Sequence, residues 1–421
     1  MNKYRIGKLL LLPLLLGTFG ACSDFDAVPL EYKEDPAFDV DPAWELELLG
    51  GQPDDRVVVY KDKKYDKLFT RTLGWNGGDG VLTTLLPDGN AFWSFNDSFY
   101  GVVDGETRAR GDCSFPRNSI MVQTPGNEEE NLVWLADFVQ TTNPETSRYY
   151  QARTHIRHPK ASLSDDKIQE GEIDQDWLYW AGDATGVDNT NPDALMRHEG
   201  ICLAIYSLEG KPGDENYMKM LSANHNFNPV DIYGFGSTLW EDEDGHTYLY
   251  GSYNNYDVVV ARSTTHDLDS PWEYYVCDAS GQYIWQHSYP TQEEISRSRI
   301  QETDCSMPWV FKKGDSYYMV AQSKWFGHEM YIFRSDKPYG PFIERKSLFS
   351  IPNTLDKLGP QEYGNLYMVN LHPHLSRNGE LVFSTNTDPK DFWDNFNAVG
   401  SADYYRPYFY RVYNWEKVYE E

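Results

Sequence analysis

The chain has 421 residues, with 37 Lys and Arg against 65 Asp and Glu, a net charge of −28. A surface of that sign repels phosphate backbones, so nucleic acid is excluded as a partner. Aromatic residues reach 15%, with 31 Tyr and 13 Trp. Such a content suits both strands and sugar-stacking surfaces.

The N-terminus is a targeting segment. Lys3, Arg5 and Lys8 precede an apolar run from Leu9 to Leu16, which is too short for a membrane-spanning helix of ~20 residues. Small residues then lead to Cys22, in Gly20-Ala21-Cys22. This resembles a bacterial lipoprotein signal over residues 1–22, with Cys22 as the lipidated residue and Phe19 in place of the usual Leu. An ordinary signal peptide followed by a chance cysteine is the alternative. Ser23-Asp24-Phe25-Asp26 resembles the acidic tag of surface-exported Bacteroidetes lipoproteins. Residues 23–45 are acidic and aperiodic and read as a flexible tether. The expected location is therefore the outer membrane, at the cell surface, with the membrane engaged through the lipid alone.

Residues 46–421 read as one all-β domain. Helical periodicity is scarce, and strand, tight turn, strand recurs. Asp88-Gly89 separates VLTTLL from AFWSF, Asp244-Gly245 separates STLWE from HTYLYGSY, Gly314-Asp315 separates PWVFK from SYYMVAQ, and Asn378-Gly379 separates HPHLS from ELVFST. Asp-Gly and Asn-Gly supply the positive φ of two-residue hairpin turns. Gly245 to Gly314 is 69 residues, Gly314 to Gly379 is 65, and Gly89 to Gly245 is 156, close to two periods. A further turn is expected between Ser164 and Gly171. Five repeated units of antiparallel strands predict a five-bladed β-propeller, with YYRPYFYRVYNW completing the fifth blade. A pair of β-sandwiches is the alternative, but it leaves the turn spacing unexplained.

The first hairpin, LGWNGGDGVLTTLLPDGNAFWSFNDSFYG, carries the candidate chemistry. A two-residue turn at Asp88-Gly89 sets Asp79 opposite Ser98, one place from Asp97. One extra bulged residue makes the two aspartates direct partners, within roughly 5–8 Å. Like charges placed so close destabilise a sheet, and hydrolysis of a glycosidic bond needs such a pair. Crowding raises one carboxyl pKa and keeps a proton available. Gly77, Gly78 and Gly80 are expected to leave the backbone open to a close ligand. A structural role as strand-end caps is the competing account of Asp79 and Asp97.

With its GGDG and FNDSF, this hairpin resembles the first blade of five-bladed propeller glycoside hydrolases, in particular bacterial endo-D-arabinanases and uncharacterised Bacteroidetes lipoproteins. The resemblance covers residues 74–122. Asn96 stands where those sequences carry Gly. It implies Asp79 and Asp97 as catalytic residues and a polysaccharide substrate, arabinan-type or otherwise furanose-containing. Substrate contacts are expected from Trp75, Asn96, Arg117, Asp183, Tyr253, Asn254, Trp325, His328 and His372, gathered around one channel mouth. His372 and His374, two apart on an expected strand, make too sparse a set for a metal site. No cofactor motif is present, and Cys113, Cys202, Cys277 and Cys305 lack zinc-ligand spacing. Buried thiols are the expected state of these four. The competing function is a noncatalytic surface glycan-binding lipoprotein, which has no need of two crowded carboxylates.

Overall fold

The computed structural model describes residues 45–86, 88–115, 119–124, 132–136, 140–141, 154–164, 177–187, 196–212, 214–228, 238–254 and 256–420. From 132 to 200, and at a few positions beyond, only the backbone is described. The signal segment, Cys22 and nearly all of the tether lie outside these residues, as does the turn expected between Ser164 and Gly171. The strands flanking that turn, Thr154–Ser164 and Trp177–Val187, do pair antiparallel, with Ser164 opposite Trp177. No described helix is long and apolar enough to cross a membrane.

The described chain is nearly all β, in successive antiparallel sheets. Leu82–Leu85, Ala91–Phe95, Ser119–Gln123 and Leu132–Ala136 form a four-stranded sheet. Its first two strands extend into a ribbon of Leu73–Gly78, Ser98–Val102 and Cys113–Ser114. A five-stranded sheet runs in chain order from Gln140–Thr141 to Tyr217–Asn228, and another from Thr238–Glu241 to Tyr283–Gln286. Ser306–Lys313, Ser316–Gln322, Glu329–Ser335 and Ile343–Ser350 form the next. The last sheet combines the two ends of the chain. Asn365–Leu371, Leu381–Asp388 and Tyr408–Tyr413 are followed outward by Val58–Asp62 and Leu46–Leu49. The C-terminal aromatic segment thus lies inside this sheet, and N-terminal strands supply its outer edge.

One strand of each sheet lies beside one of the next. Leu82–Leu85 contacts Thr154–Ser164, which contacts Thr238–Glu241, then Ser306–Lys313, then Asn365–Leu371. The core fills the spaces between sheet faces. Tyr248, Tyr250 and Val260 pack on Val310, Met319 and Phe333. Trp309, Phe311 and Ile332 meet Leu366, Phe383 and Trp415. Trp75, Trp93 and Phe95 meet Phe69, Val382 and Phe409. Burying one such side chain contributes about 1.5–3 kcal/mol. Much of the aromatic content is therefore structural, with Trp75, Trp93 and Trp415 wholly buried.

Three turn expectations need correction. Asp88-Gly89 does not form a two-residue turn. Leu82 pairs with Ser94 and Leu85 with Ala91, and the Leu86 amide donates to the Asn90 carbonyl at 2.8 Å. The loop therefore holds three residues and ends in Gly89 at φ +84°, a left-handed bulge position that suits glycine. The turn at Gly245, φ +89°, follows the same rule. Before Asn378-Gly379 there is no strand. Leu371 ends the strand, and Pro373–Leu375 is a single 3-10 turn, because Pro373 has no amide to donate to a sheet ladder. His372 and His374 accordingly do not alternate along a strand.

Candidate active site

The extra loop residue decides the register of the first hairpin. Gly78 pairs with Ser98, so Asp79 falls directly opposite Asp97. The Asp79 amide donates to the Asp97 carbonyl at 3.2 Å, and the Asn96 amide donates to the Asp79 carbonyl at 2.8 Å. Both aspartates are buried, 2% and 5% exposed. Directly opposed residues in an antiparallel pair have Cα atoms about 4.5–5.5 Å apart. Two buried carboxyl-bearing residues thus stand as direct neighbours across the hairpin.

The last sheet completes the site. Tyr367, near the start of Asn365–Leu371, donates its hydroxyl to Asp79 Oδ2 at 3.2 Å. Asn386 donates its amide to the Gly78 carbonyl at 2.8 Å. Asp388 follows two residues later, on the same face of Leu381–Asp388. Burial is the main force that pushes the Asp388 carboxyl up to about 6, and the negative charge of Asp97 adds to it. A hydrogen bond from Asn395, contact with the Tyr367 hydroxyl and the positive charge of Arg110 act against it. Burial raises Tyr367 well above the usual phenol range, and Tyr405, Asp79 and Asp388 add to the effect. Tyr367 therefore remains a proton-bearing donor.

Arg110 braces this assembly. A bulge at Asn76 interrupts the ribbon register between Trp75 and Gly77. Such a bulge re-aims a side chain, and here Asn76 Oδ1 accepts from Arg110 Nε at 2.9 Å. The other guanidinium hydrogens reach the carbonyls of Asn76, Asn395, Ser401 and Tyr404. The group lies over the Phe99 ring at 4.1 Å. Complete burial pushes its pKa down to about 9, which leaves it charged at neutral pH.

The glycines beside Asp79 do not clear room for a ligand. A Cβ at Gly77 would lie 2.3 Å from Arg110 Nη2, and one at Gly80 2.3 Å from Asn96 Nδ2. At Gly78 the Trp75 indole nitrogen would be 2.9 Å away. The protein's own side chains occupy this space.

With the geometry set out, comparison with known proteins places the chain. A profile described as a domain of unknown function, DUF5005, matches residues 62–415. The chain belongs to that family. A crystal structure of a candidate hydrolase from Bacteroides ovatus ATCC 8483 is 61% identical over 91% of this chain and 97% of that one, with a TM-score of 0.77. The resemblance to hydrolases and to uncharacterised Bacteroidetes proteins is met in this relative. A GH43_1 enzyme from Xanthomonas citri complexed with xylotriose is 13% identical over 82% of this chain and 88% of that one, TM-score 0.42. An exo-1,5-alpha-L-arabinanase from a bovine ruminal metagenomic library is 10% identical over 81% and 93%, TM-score 0.39. Those two scores are too low to carry an argument. No curated protein matches the chain.

The DUF5005 domain places the other expected contact residues unevenly. Trp325 packs against the cluster of Phe99, Met307, Tyr367 and Tyr405, beside Asp79. Its neighbour Phe326, 49% exposed, meets the Tyr367 ring edge-on at 6.3 Å. Trp75 does not reach a ligand, because it is wholly buried against Phe69 and Phe95. Asn96 is likewise buried, with its amide turned toward Met368 Sδ. His328 stacks on Tyr363 and bonds the Ile351 carbonyl. Tyr253 packs with Leu249 and Val259 in the core between the second and third sheets, and Asn254 turns outward beside it at φ +50°. The structure does not join these three to Asp79.

His372 lies five residues beyond Tyr367, about 16 Å along the strand. It is wholly buried between Trp93 and Phe409, with Ser384 and Thr83 as hydrogen-bond partners. It belongs to the turn end of the inner strands, away from the Asp79 end. Arg117 and the side chain of Asp183 lie outside the described residues. Backbone pairing sets Asp183 opposite Arg157 and Ile201. Among the described residues no three metal-ligating side chains form a cluster. Cys113, Cys277 and Cys305 are free thiols.

Asp388, Tyr367, Tyr405, Arg110 and Phe326 are additions that sequence reasoning missed. Asp388 stands at the end of the strand Leu381–Asp388, on the same face as Asn386.

Proposed function

We propose that this protein is a glycoside hydrolase of the cell surface that cuts a polysaccharide by carboxylate catalysis. The observation that carries the reading is the meeting of three carboxyls, the buried Asp79 and Asp97 and the partly buried Asp388, whose pKa is pushed up to about 6 mainly by burial. Asp388 acts as the general acid and gives its proton to the leaving oxygen as the glycosidic bond breaks. Asp79 is held by the Tyr367 hydroxyl. It takes a proton from the attacking water or attacks the sugar carbon itself. Asp97 adds to the burial that raises the Asp388 carboxyl. Phe326 and Trp325 offer the apolar faces that sugar rings stack on.

The wider frame of this reading is a ring of five sheets, a five-bladed propeller. Its support is the order of neighbouring sheets and the last sheet, which joins N-terminal and C-terminal strands. The 61% identical relative, itself described as a candidate hydrolase, supports the reaction class. An arabinan-type or other furanose-containing glycan is the proposed substrate, on the resemblance of residues 74–122. Attachment to the outer membrane through Cys22 is proposed from the signal segment. A Cys22→Ser chain that stays in the membrane fraction would refute it.

The deciding test is incubation with arabinans, galactans and fructans, followed by product analysis, for the wild type and Asp79→Asn. Products from the wild type alone support hydrolysis. Binding at this mouth with no glycan cut would make the protein a noncatalytic glycan binder.

A further inference from the structure

A second cavity, of about 490 Å³, lies between the outer strand Val58–Asp62 with the helix Lys63–Leu68 and two segments, 354–358 and 403–410. Its walls hold six basic side chains, Lys61, Lys63, Lys67, Arg108, Lys357 and Arg406, against three acids, Asp66, Asp356 and Asp403. In a chain of net charge −28, this concentration of cations is a local reversal of sign.

The acids present do not account for all of it. Arg108 and Arg406 share the single carboxylate of Asp403, at 3.0 and 3.4 Å. Lys63 is divided between Asp356 and Glu47. Lys61 and Lys67 pair with Glu47 and Glu45, which stand on the solvent side with about half of each side chain exposed. Exposed pairs of that kind hold by roughly 0–1 kcal/mol and can re-form elsewhere. Among the described residues, no carboxylate pairs with Lys357. Its ammonium donates to the carbonyls of Leu358 and Pro360, at 2.6 and 3.0 Å, and lies 4.3 Å from the Tyr404 ring centroid. Burial lowers its pKa, so the charged form pays a desolvation cost that an anion would offset. Thr70, Thr354 and Tyr408 add hydroxyl groups, while Leu355 and Phe409 add apolar wall. The volume is that of a small-ligand site.

We propose that this cavity binds a small oxyanion-bearing ligand of monosaccharide size, with its carboxylate or phosphate group on Lys63, Lys357 and Arg406. The hydroxyls and apolar wall receive the rest of the molecule. The carboxylate of an acidic sugar and a phosphate share this chemistry. Asp403 and Arg406 flank Tyr405, whose carbonyl accepts from the Gly78 amide at 2.6 Å. The site thus borders the segment that supports Asp79. The proposal stands apart from the hydrolytic reading, since binding here requires no turnover.

The test is calorimetric titration of the full chain with galacturonate, inorganic phosphate and neutral galactose, repeated with Lys357→Met and with Lys63→Gln. Lys63 is a surface residue, so its variant remains informative if Lys357→Met fails to fold. Galacturonate should bind, weaken as salt rises, and lose about tenfold or more in affinity in either variant, the equivalent of one lost charge-assisted contact of ~1.4 kcal/mol or more. Phosphate binding with the same salt and variant dependence, without galacturonate binding, assigns the site to phosphate-bearing ligands. No binding of either anion, anion binding unchanged in the variants, or galactose binding as well as galacturonate would overturn the proposal.

Discussion

The hydroxyl of Tyr367 donates to the carboxylate of Asp79 across the junction between the last sheet and the first hairpin, at 3.2 Å. Just past the end of the strand that carries Tyr367, His372 bonds Thr83, on the strand Leu82–Leu85 that follows Asp79. Two contacts at opposite ends of the strand pair fix the first and last sheets against each other. They also set the active end apart from the turn end.

The three carboxyls make separable claims. Asp79→Asn and Asp388→Asn should each lower turnover of the cleaved glycan by ~10²–10⁴-fold, with oligosaccharide binding largely kept because size and hydrogen-bonding capacity change little. Asp97→Asn should cost less than either. Steady-state kinetics and calorimetry on the three variants decide the matter. Near-normal hydrolysis in both Asp79→Asn and Asp388→Asn would place the chemistry elsewhere.

The pH dependence follows from Asp388. A general acid with a pKa of about 6 works only while protonated, so kcat/KM should fall as pH rises through about 6. Stability has the same sign. The folded pKa is raised above the unfolded value of roughly 3.9. The advantage of holding the neutral carboxyl is complete below the unfolded value and is lost as pH rises through about 6. Asp388→Asn should therefore raise Tm at pH 8 relative to wild type and give no gain at pH 4. An equal Tm difference at both pH values would contradict the assignment.

Phe326 exposes half its surface beside Tyr367. Phe326→Ala should weaken glycan binding by about 1–3 kcal/mol, on the scale of a nucleobase stacked on an aromatic ring, while the melting curve stays in place. Unchanged binding would remove Phe326 from the substrate path.

Gly80 and Gly89 both hold positive φ, +62° and +84°, but their surroundings differ. Around Gly89 nothing lies within reach of an added Cβ, whereas at Gly80 the Asn96 amide would be 2.3 Å away. Gly89→Ala should cost about 1–2 kcal/mol for its backbone conformation alone. Gly80→Ala should cost more and disturb activity as well, since Asn96 adjoins Asp97. Denaturant titration ranks the two, and equal costs would show that Asn96 yields freely.

Arg411 joins the two ends of the chain. Its guanidinium contacts Asp62 at 2.7 Å and Glu380 at 2.5 Å, with all three side chains buried. Arg411→Ala leaves two buried acids without their cation and should cost about 3–5 kcal/mol. Unfolding monitored by denaturant would show the loss, and a change below 1 kcal/mol would mean that the outer strands are held by packing alone.

What the sequence determined by itself was local in origin. Turn glycines, strand alternation and the spacing of hairpins are properties of short stretches, and they gave the all-β class and the facing of Asp79 and Asp97. Even there the three-residue loop, set by Gly89, moved the register by one place from that of a two-residue turn. The tertiary structure decided which residues join that pair. Asp388 and Tyr367 reach Asp97 and Asp79 only because the last sheet packs on the first hairpin, a contact between distant parts of the chain that no local pattern encodes. The same packing consumed Trp75, Asn96 and the glycines as structural parts. An aromatic ring or a small residue has the same appearance in sequence whether it faces a ligand or a neighbouring sheet, and only the packing of the two sheets determines which.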